Sequence, residues 1–173
     1  MDNDKVRTRD AHVDDVVALT AIYNHYVQHT AITFDLVPVT VENRRAWLDE
    51  HATTGRHRLL VAEYDGAVVG YASSSRFRAK AAYETSVELS VYLAPDHTGH
   101  GTGSLLYRRL LELLADEDVH RAYAGVCLPN EPSIRLHRGL GFRPLGIYRE
   151  VGRKFGRYWD VQWFERTVGS AER

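Results

Sequence analysis

The sequence has few of the features that mark a membrane, secreted or metal-stabilised protein. It contains one cysteine, Cys127, so it can form no internal disulfide and has no CxxC pair for zinc. No apolar run approaches the roughly 18 residues of a membrane-spanning helix, and residues 1–10 lack the apolar stretch of a secretory signal. We therefore expect a cytoplasmic protein with no membrane partner.

An excess of charge of one sign is also absent. Lys and Arg together number 22 and Asp and Glu 23, which gives a formal net charge of −1, and no Lys/Arg-rich block stands out. This balance argues against general nucleic-acid binding. The length of 173 residues and the hydrophobic fraction of 44% fit one domain with its own core. We expect a single domain over residues 1–173, ordered from about residue 5 to about residue 168.

Hydrophobic periodicity predicts an α/β chain, because segments of period 2 alternate with segments of helical period. Asp65-Gly66 separates two β-rich runs and indicates an antiparallel hairpin. In the following strand, Glu88, Ser90 and Tyr92 are expected on a polar face, opposite an apolar core face. The predicted strands are Val6–Asp10, Leu59–Tyr64, Ala67–Phe77, Thr85–Leu93, Arg121–Leu128, Arg143–Glu150 and Tyr158–Phe164, and the predicted helices are Asp14–Gln28, Val41–Ala52, Ser104–Asp116 and Pro132–Gly139.

A glycine-rich segment lies between a predicted strand and a strongly amphipathic helix. Gly99, Gly101 and Gly103 alternate there, which leaves backbone N–H groups open at a helix N-terminus, where the macrodipole favours an anion. Neither the GxGxxG spacing of dinucleotide-binding folds nor the GxxxxGK[ST] spacing of P-loops is present. The segment therefore predicts a phosphate or pyrophosphate site outside both of those classes, although a purely structural glycine turn would have the same composition.

Two separated motifs carry a family resemblance. VYLAPDHTGHGTGSLLYRRLLELL, followed by GVCLPNEPSIRLHRGLGF, resembles the cofactor-binding core of GNAT N-acetyltransferases. IYNHYV, LVAEYDGAVVGYA, AAYETSVELSVY and GRKFGRYWDVQWF extend the similarity to the phosphinothricin and methionine sulfone (sulfoximine) acetyltransferase group. The resemblance implies the GNAT fold, a mixed, mostly antiparallel sheet flanked by helices, in which a splayed central strand pair binds acetyl-CoA.

The resemblance also implies the residues that bind acetyl-CoA. Thr98 stands where relatives carry Gln or Arg, so we expect weaker CoA affinity, although backbone amides can still hold the pyrophosphate. The expected cofactor-binding residues are Val91, Tyr92, Leu93, Gly99, His100, Gly101, Thr102, Gly103, Ser104, Asn130 and Ser133. Of these, Leu93 lies near the backbone N–H groups expected to polarise the acetyl carbonyl.

Acetyl transfer needs a base for the amine and a proton for the departing thiolate. By resemblance, Glu88 is the general base and His137 protonates CoA. The basic segment from Arg76 to Lys80 fits an acidic acceptor. The acceptor is then an amino-acid-like amine such as phosphinothricin (L-glufosinate), methionine sulfoximine or methionine sulfone, and its expected binding residues are Phe34, Arg78, Lys80, Tyr83, Ser90, Val161 and Trp163.

Two alternatives stay open at this stage. Thr98 would suit a catalytically silent acyl-CoA-binding or sensing module, whereas Glu88 and His137 argue for an enzyme. A GNAT enzyme acting on another amine, such as a polyamine or a protein N-terminus, would favour an acidic groove rather than the basic segment. Relatives form dimers, so we also expect a homodimer, and the reaction requires no metal.

Overall fold

The computed structural model describes residues 5–169, and the predicted order of elements is confirmed. The strands fall on the segments of period 2 and the helices on the segments of helical period noted in the sequence. None of the helices in this part of the chain has both the length and the apolar character needed to span a bilayer. The elements are β1 (Arg7–Asp10), α1 (Val16–His29), α2 (Val41–Leu48), β2 (Leu59–Tyr64), β3 (Ala67–Arg76), β4 (Ser86–Leu93), α3 (Thr102–Ala115), β5 (Arg121–Cys127), α4 (Glu131–Gly139), β6 (Arg143–Lys154) and β7 (Arg157–Thr167).

The strands form one sheet in the order β1-β2-β3-β4-β5-β7-β6. Every neighbouring pair is antiparallel except β4 and β5, which run parallel. A parallel pair needs a crossover connection, and here α3 provides it. The predicted fold class, a mixed and mostly antiparallel sheet flanked by helices, is confirmed.

The sheet separates two hydrophobic clusters. The larger includes the apolar face of α3, with Leu106, Leu110 and Leu114 fully buried, together with residues of α4 and the sheet. The smaller joins Leu19 and Ile22 of α1 to β2 and β3. Both faces of the sheet therefore carry a hydrophobic core.

The predicted alternation of β4 is confirmed, but the face that carries Glu88, Ser90 and Tyr92 is not open to solvent. Val87 and Leu89 do belong to the larger core, as the alternation predicts. On the opposite face, however, Tyr92 packs against the smaller cluster under α1 and α2. The polar residues Glu88 and Ser90 on that face lie in a partly closed interior rather than in open solvent.

Element ends differ from the predictions by a few residues, except in the last hairpin. Thr40 caps α2 as predicted, since its hydroxyl accepts a hydrogen bond from the Asn43 N–H at 3.1 Å. β6 and β7 run further than expected, to Lys154 and from Arg157, because Phe155 and Gly156 form the connecting turn with positive φ angles. This extension makes the hairpin the longest element of the sheet.

Candidate active site

The central feature of the site is a gap between β4 and β5. Their pairing covers three positions and ends where Glu88 faces Tyr123. β4 nevertheless continues to Leu93 and β5 to Cys127, so beyond Glu88 the two strands diverge. Backbone groups that would otherwise complete the ladder are then free to bind an extended ligand between the strands. The predicted splayed strand pair is thus present, and Glu88 stands at its vertex.

A cavity of about 50 Å³ lies within this gap and extends to α3 and α4. Residues of β4, β5, α3 and α4 line it. Asn130 caps α4, and its side-chain oxygen accepts a hydrogen bond from the Ser133 N–H at 3.2 Å. We call this space the acyl cavity; its lining includes the predicted residues Ser90, Val91, Tyr92, Asn130, Ser133 and His137.

The predicted anion-binding loop meets the open end of the gap. Gly99 and Gly101 have φ angles of +79° and +83°, a region that residues with a Cβ rarely adopt. Gly101 caps α3 without a side-chain hydrogen bond, so no side chain of residues 5–169 is seen to satisfy the N–H groups of the first turn. Thr102, Gly103 and Ser104 lie in that turn, and exposed His100 precedes it. This arrangement suits a pyrophosphate bound by backbone amides.

Leu93 ends β4 and occupies a tightly packed position. A Cβ on Gly70 of the neighbouring strand would overlap the end of the Leu93 side chain, which would have to shift to accommodate it. The Leu93 carbonyl accepts a hydrogen bond from the Tyr26 hydroxyl at 2.7 Å. α1 is thereby attached to the β4 edge of the gap, which stabilises the width of the opening.

Glu88 is partly buried, and its carboxyl group lies close to a cation. Burial raises the pKa of Glu88 above its ordinary value of 4.5, and the charge of Arg78 acts in the opposite direction. Arg78 is exposed, and its guanidinium lies 4.3 Å from the Phe77 ring centroid and 5.9 Å from that of Trp163. A carboxylate with a raised pKa is a stronger base than an ordinary glutamate, as general-base catalysis requires.

Aromatic side chains form a wall beside Glu88. Phe77 stacks on Tyr123 with a centroid distance of 4.2 Å, and Trp163 meets Phe77 edge-on at 6.1 Å. On β7, Trp163 pairs with Gly125 of β5 and Val161 pairs with Cys127. The side chains of both β7 residues pack against Gly125. Of the predicted acceptor-binding residues, Arg78, Trp163, Val161 and Ser90 are therefore grouped around the vertex.

Three other predicted acceptor-binding residues do not belong to the lining of the acyl cavity. The Phe34 ring packs on Gly152 of β6, where any Cβ would overlap it. Lys80 is exposed and precedes a short 3₁₀ turn, and Tyr83, also exposed, lies 6.3 Å from Phe77 between ring centroids. An acceptor would have to reach these side chains from the open side of the wall.

His137 is buried at 3% exposure among aromatic rings. Its Nδ1 lies 2.7 Å from the Ser133 carbonyl oxygen, and because a carbonyl only accepts, the proton must be on Nδ1. Burial lowers the pKa of His137 below its ordinary value of 6.5, against a smaller opposing effect of this hydrogen bond. The resting ring is neutral, and Nε2, which has no partner among the described residues, carries a lone pair.

Sequence reasoning missed two cavity-lining side chains, one at the gap and one outside it. Tyr107 of α3 lines the acyl cavity, and its ring meets His137 edge-on at 5.4 Å. Burial raises the pKa of Tyr107 far above the ordinary value of 10.0, so the phenol keeps its proton. The second is Arg44 of α2, which lines a larger cavity described below. Neither departs from ordinary helical periodicity, so no sequence signal distinguished them.

The comparisons with known proteins agree with this geometry. A model of the acetyltransferase (GNAT) domain matches residues 9–163. The chain belongs to the GNAT acetyltransferase family. It is 56% identical to a phosphinothricin N-acetyltransferase of Streptomyces coelicolor over 95% of this chain and 97% of the relative. It is 38% identical to an L-methionine sulfoximine/L-methionine sulfone acetyltransferase of Pseudomonas paraeruginosa, over 92% and 93% of the two chains.

Solved GNAT structures share the whole architecture. A putative acetyltransferase from Salmonella typhimurium, solved with its cofactor acetyl-CoA, matches with a TM-score of 0.90 and 35% identity. The match covers 98% of this chain and 97% of the other. The predictions of the family, of an N-acetyltransferase and of acetyl-CoA as its acetyl donor are confirmed. Within residues 5–169, no group of three or more His, Cys, Asp or Glu residues is placed to hold a metal ion.

Proposed function

We propose that this GNAT enzyme transfers the acetyl group of acetyl-CoA directly to the primary amine of a small acidic amino-acid-like acceptor. The observation that carries the proposal is the position of Glu88 at the vertex where β4 and β5 separate. Pantetheine between the diverging strands would bring its thioester towards that carboxylate. The relatives named for phosphinothricin and for methionine sulfoximine or sulfone support an acceptor of this class.

Glu88 acts as general base in the proposed reaction. Its carboxylate, directly or through a water, takes a proton from the acceptor's ammonium, and the neutral nitrogen attacks the thioester carbonyl. The new N–C bond forms as the C–S bond breaks. The attacking nitrogen releases its second proton to solvent as the tetrahedral species collapses, which leaves the amide product and the CoA thiolate, and the thiolate then takes up a proton.

Two side chains of the acyl cavity can supply the thiolate's proton. His137, expected from resemblance, would first have to become an imidazolium, because its resting proton on Nδ1 is committed to the Ser133 carbonyl. Burial raises the pKa of Tyr107 and makes it a weaker acid, but its phenolic proton is present near neutrality without a prior protonation step, and no described residue accepts a hydrogen bond from it. We therefore add Tyr107 as a second candidate and favour it over His137.

Direct transfer is favoured over an acyl-enzyme route through Cys127. Burial raises the pKa of the Cys127 thiol above its ordinary value of 9.0, so the residue is protonated near neutrality. A thiol is a much weaker nucleophile than a thiolate. The silent sensing module considered from the sequence would not need a carboxylate with a raised pKa at the vertex.

A homodimer is part of the same proposal. The β6–β7 hairpin exposes a run of large apolar side chains, which is unusual for a monomer. Their joint burial against a second copy would remove these side chains from water. A mass near 19.7 kDa, that of one chain, in sedimentation would contradict the homodimer. The exposed residues are Leu145, Ile147, Tyr148, Val151, Phe155 and Tyr158. The cytoplasmic location expected from the sequence stays a prediction.

CoA release by the purified protein tests the proposed acceptor class. We expect saturable release with phosphinothricin, methionine sulfoximine and methionine sulfone. Glutamate and spermidine should give a kcat/KM lower by at least about 100-fold, since neither combines an anion with the tetrahedral oxygen-bearing group. Efficient turnover of spermidine would contradict an acidic acceptor. Binding of acetyl-CoA without turnover of any amine would favour the sensing module.

A further inference from the structure

A second and larger cavity lies beside the acyl cavity. It measures about 230 Å³ and is bounded by α1, α2, β3 and β4. Ser90 and Tyr92 line both cavities, which therefore adjoin each other. We call it the α2 cavity; its lining also includes Tyr23, Asp35, Arg44, Trp47, Tyr71 and Ser73.

The buried charge of Arg44 sets this cavity apart. Arg44 is 5% exposed, and its guanidinium carbon lies 4.1 Å from the Tyr23 ring centroid and 4.4 Å from that of Trp47. Within residues 5–169, no carboxylate lies within ion-pair distance of it, and its side chain makes no hydrogen bond. Among the described residues, neither its buried Nε nor the buried hydroxyl of Tyr71 has a hydrogen-bond partner. A buried charge is costly unless it is paired.

Arg58 shows how this fold treats a buried arginine that serves only structure. It is 4% exposed, and its guanidinium lies 3.0 Å from Asp10 and 3.9 Å from Glu117. The Nε of Arg58, like that of Arg44, has no partner among the described residues, so the two arginines differ at their terminal nitrogens. The Arg44 guanidinium contacts aromatic faces instead of carboxylates, which stabilises the cation but leaves its N–H donors unused. Those donors, facing a cavity, are the chemistry required to bind an oxyanion in a bidentate manner.

We propose that Arg44 is the binding group for an oxyanion of the acceptor, a carboxylate or phosphinate, held in the α2 cavity while the amine reaches the thioester past Ser90 and Tyr92. This inference rests on the proposed function and adds a specificity residue that lies on α2, away from the basic segment at Arg78. Asp35 also borders the cavity, but it is exposed and its carboxylate already accepts a hydrogen bond from Tyr23 at 2.6 Å.

The test compares Arg44→Gln with Arg45→Gln, a matched control that removes the same charge from the exposed side of the same helix. Three acceptors are used: methionine sulfone, its α-carboxamide, and phosphinothricin. Arg44→Gln should raise KM for methionine sulfone about 10- to 100-fold, the range for a lost charge-assisted pair. KM for the carboxamide and for acetyl-CoA should stay unchanged, and Arg45→Gln should behave as wild type.

The three acceptors identify which oxyanion is held. A KM increase for phosphinothricin without one for methionine sulfone would assign the phosphinate, and an increase for both would assign the carboxylate. Equal increases for acid and carboxamide would overturn the proposal, because they would mark Arg44 as a support for the aromatic side chains around it. Unchanged KM values for both acids would overturn it as well.

Arg44→Lys covers the case in which Arg44→Gln loses its cooperative thermal unfolding. Lysine keeps the charge but cannot bind in a bidentate manner, so the preference for methionine sulfone over its carboxamide should fall several-fold. An unchanged preference would overturn the proposal.

If the wild type acetylates none of the three acceptors, the proposed function fails. Calorimetric titration of methionine sulfone into wild type and Arg44→Lys then tests the α2 cavity independently.

Discussion

Glu88→Gln is expected to lower kcat for acetyl transfer by about 10²- to 10⁴-fold at neutral pH, the range for loss of a general base. Glutamine preserves the shape of the side chain at the vertex of β4 and β5 but cannot accept the ammonium proton. The dissociation constant of acetyl-CoA, measured by calorimetry, should change little, because the cofactor is held along the gap and at the anion-binding loop. Equal losses in turnover and cofactor binding would contradict the assignment.

Glu84→Gln is the matched control for Glu88. It makes the same substitution two residues before β4, where the carboxylate is largely exposed and lies 3.8 Å from Arg56. Its turnover should equal that of the wild type.

The pH profile adds a second criterion. Because burial raises the pKa of Glu88 above 4.5 and the base works as carboxylate, wild-type kcat/KM should fall as the pH is lowered through that raised value. Glu88→Gln should lose this acidic limb.

Tyr107→Phe is expected to lower the single-turnover rate by about 100-fold, at the lower end of the range for general acids. The substitution removes only a hydroxyl that makes no hydrogen bond with the described residues, so folding should not suffer. His137→Phe is the comparison. It keeps the ring between Phe142 and Phe164, whose centroids lie 5.3 and 5.4 Å away, but removes both ring nitrogens.

The pH dependence separates the two candidate acids. If His137 were the donor, activity would need its imidazolium and would be lost as the pH rises through a pKa below 6.5. If Tyr107 is the donor, its raised pKa predicts no such loss between pH 6 and pH 9. Tyr107→Phe turning over at the wild-type rate, together with a slow His137→Phe, would return the role to His137.

The arrangement of side chains on β4 could be predicted from the sequence because it depends on local period. Alternation put Glu88, Ser90 and Tyr92 on one face, and glycine spacing indicated the anion-binding loop. The divergence of β4 from β5 could not be read from period, since a strand has the same alternation whether or not its neighbour pairs with it. It entered only through family resemblance.

Tyr107 and Arg44 are two cavity-lining residues that helical periodicity could not identify, one assigned to the core and one to the surface. Tyr107 lies within the leucine-rich face of α3, and periodicity assigns it to the core without indicating that its hydroxyl borders a cavity. Arg44 and Arg45 are adjacent on α2, and nothing in the sequence distinguishes the two charges. In the structure, Arg44 is buried and Arg45 is exposed. Which face of α2 meets the sheet is fixed by tertiary packing, so a buried cation cannot be recognised from a short, polar helix.

The measurement that tests the central claim most directly follows a labelled acetyl group through one turnover. Purified protein is mixed with acetyl-CoA labelled in its acetyl group and with methionine sulfone, and product, CoA and protein are separated after quenching. Direct transfer predicts one N-acetyl product for each CoA released, with no label on the protein at any time. Label that passes through the protein, or CoA released without N-acetyl product, would contradict the account.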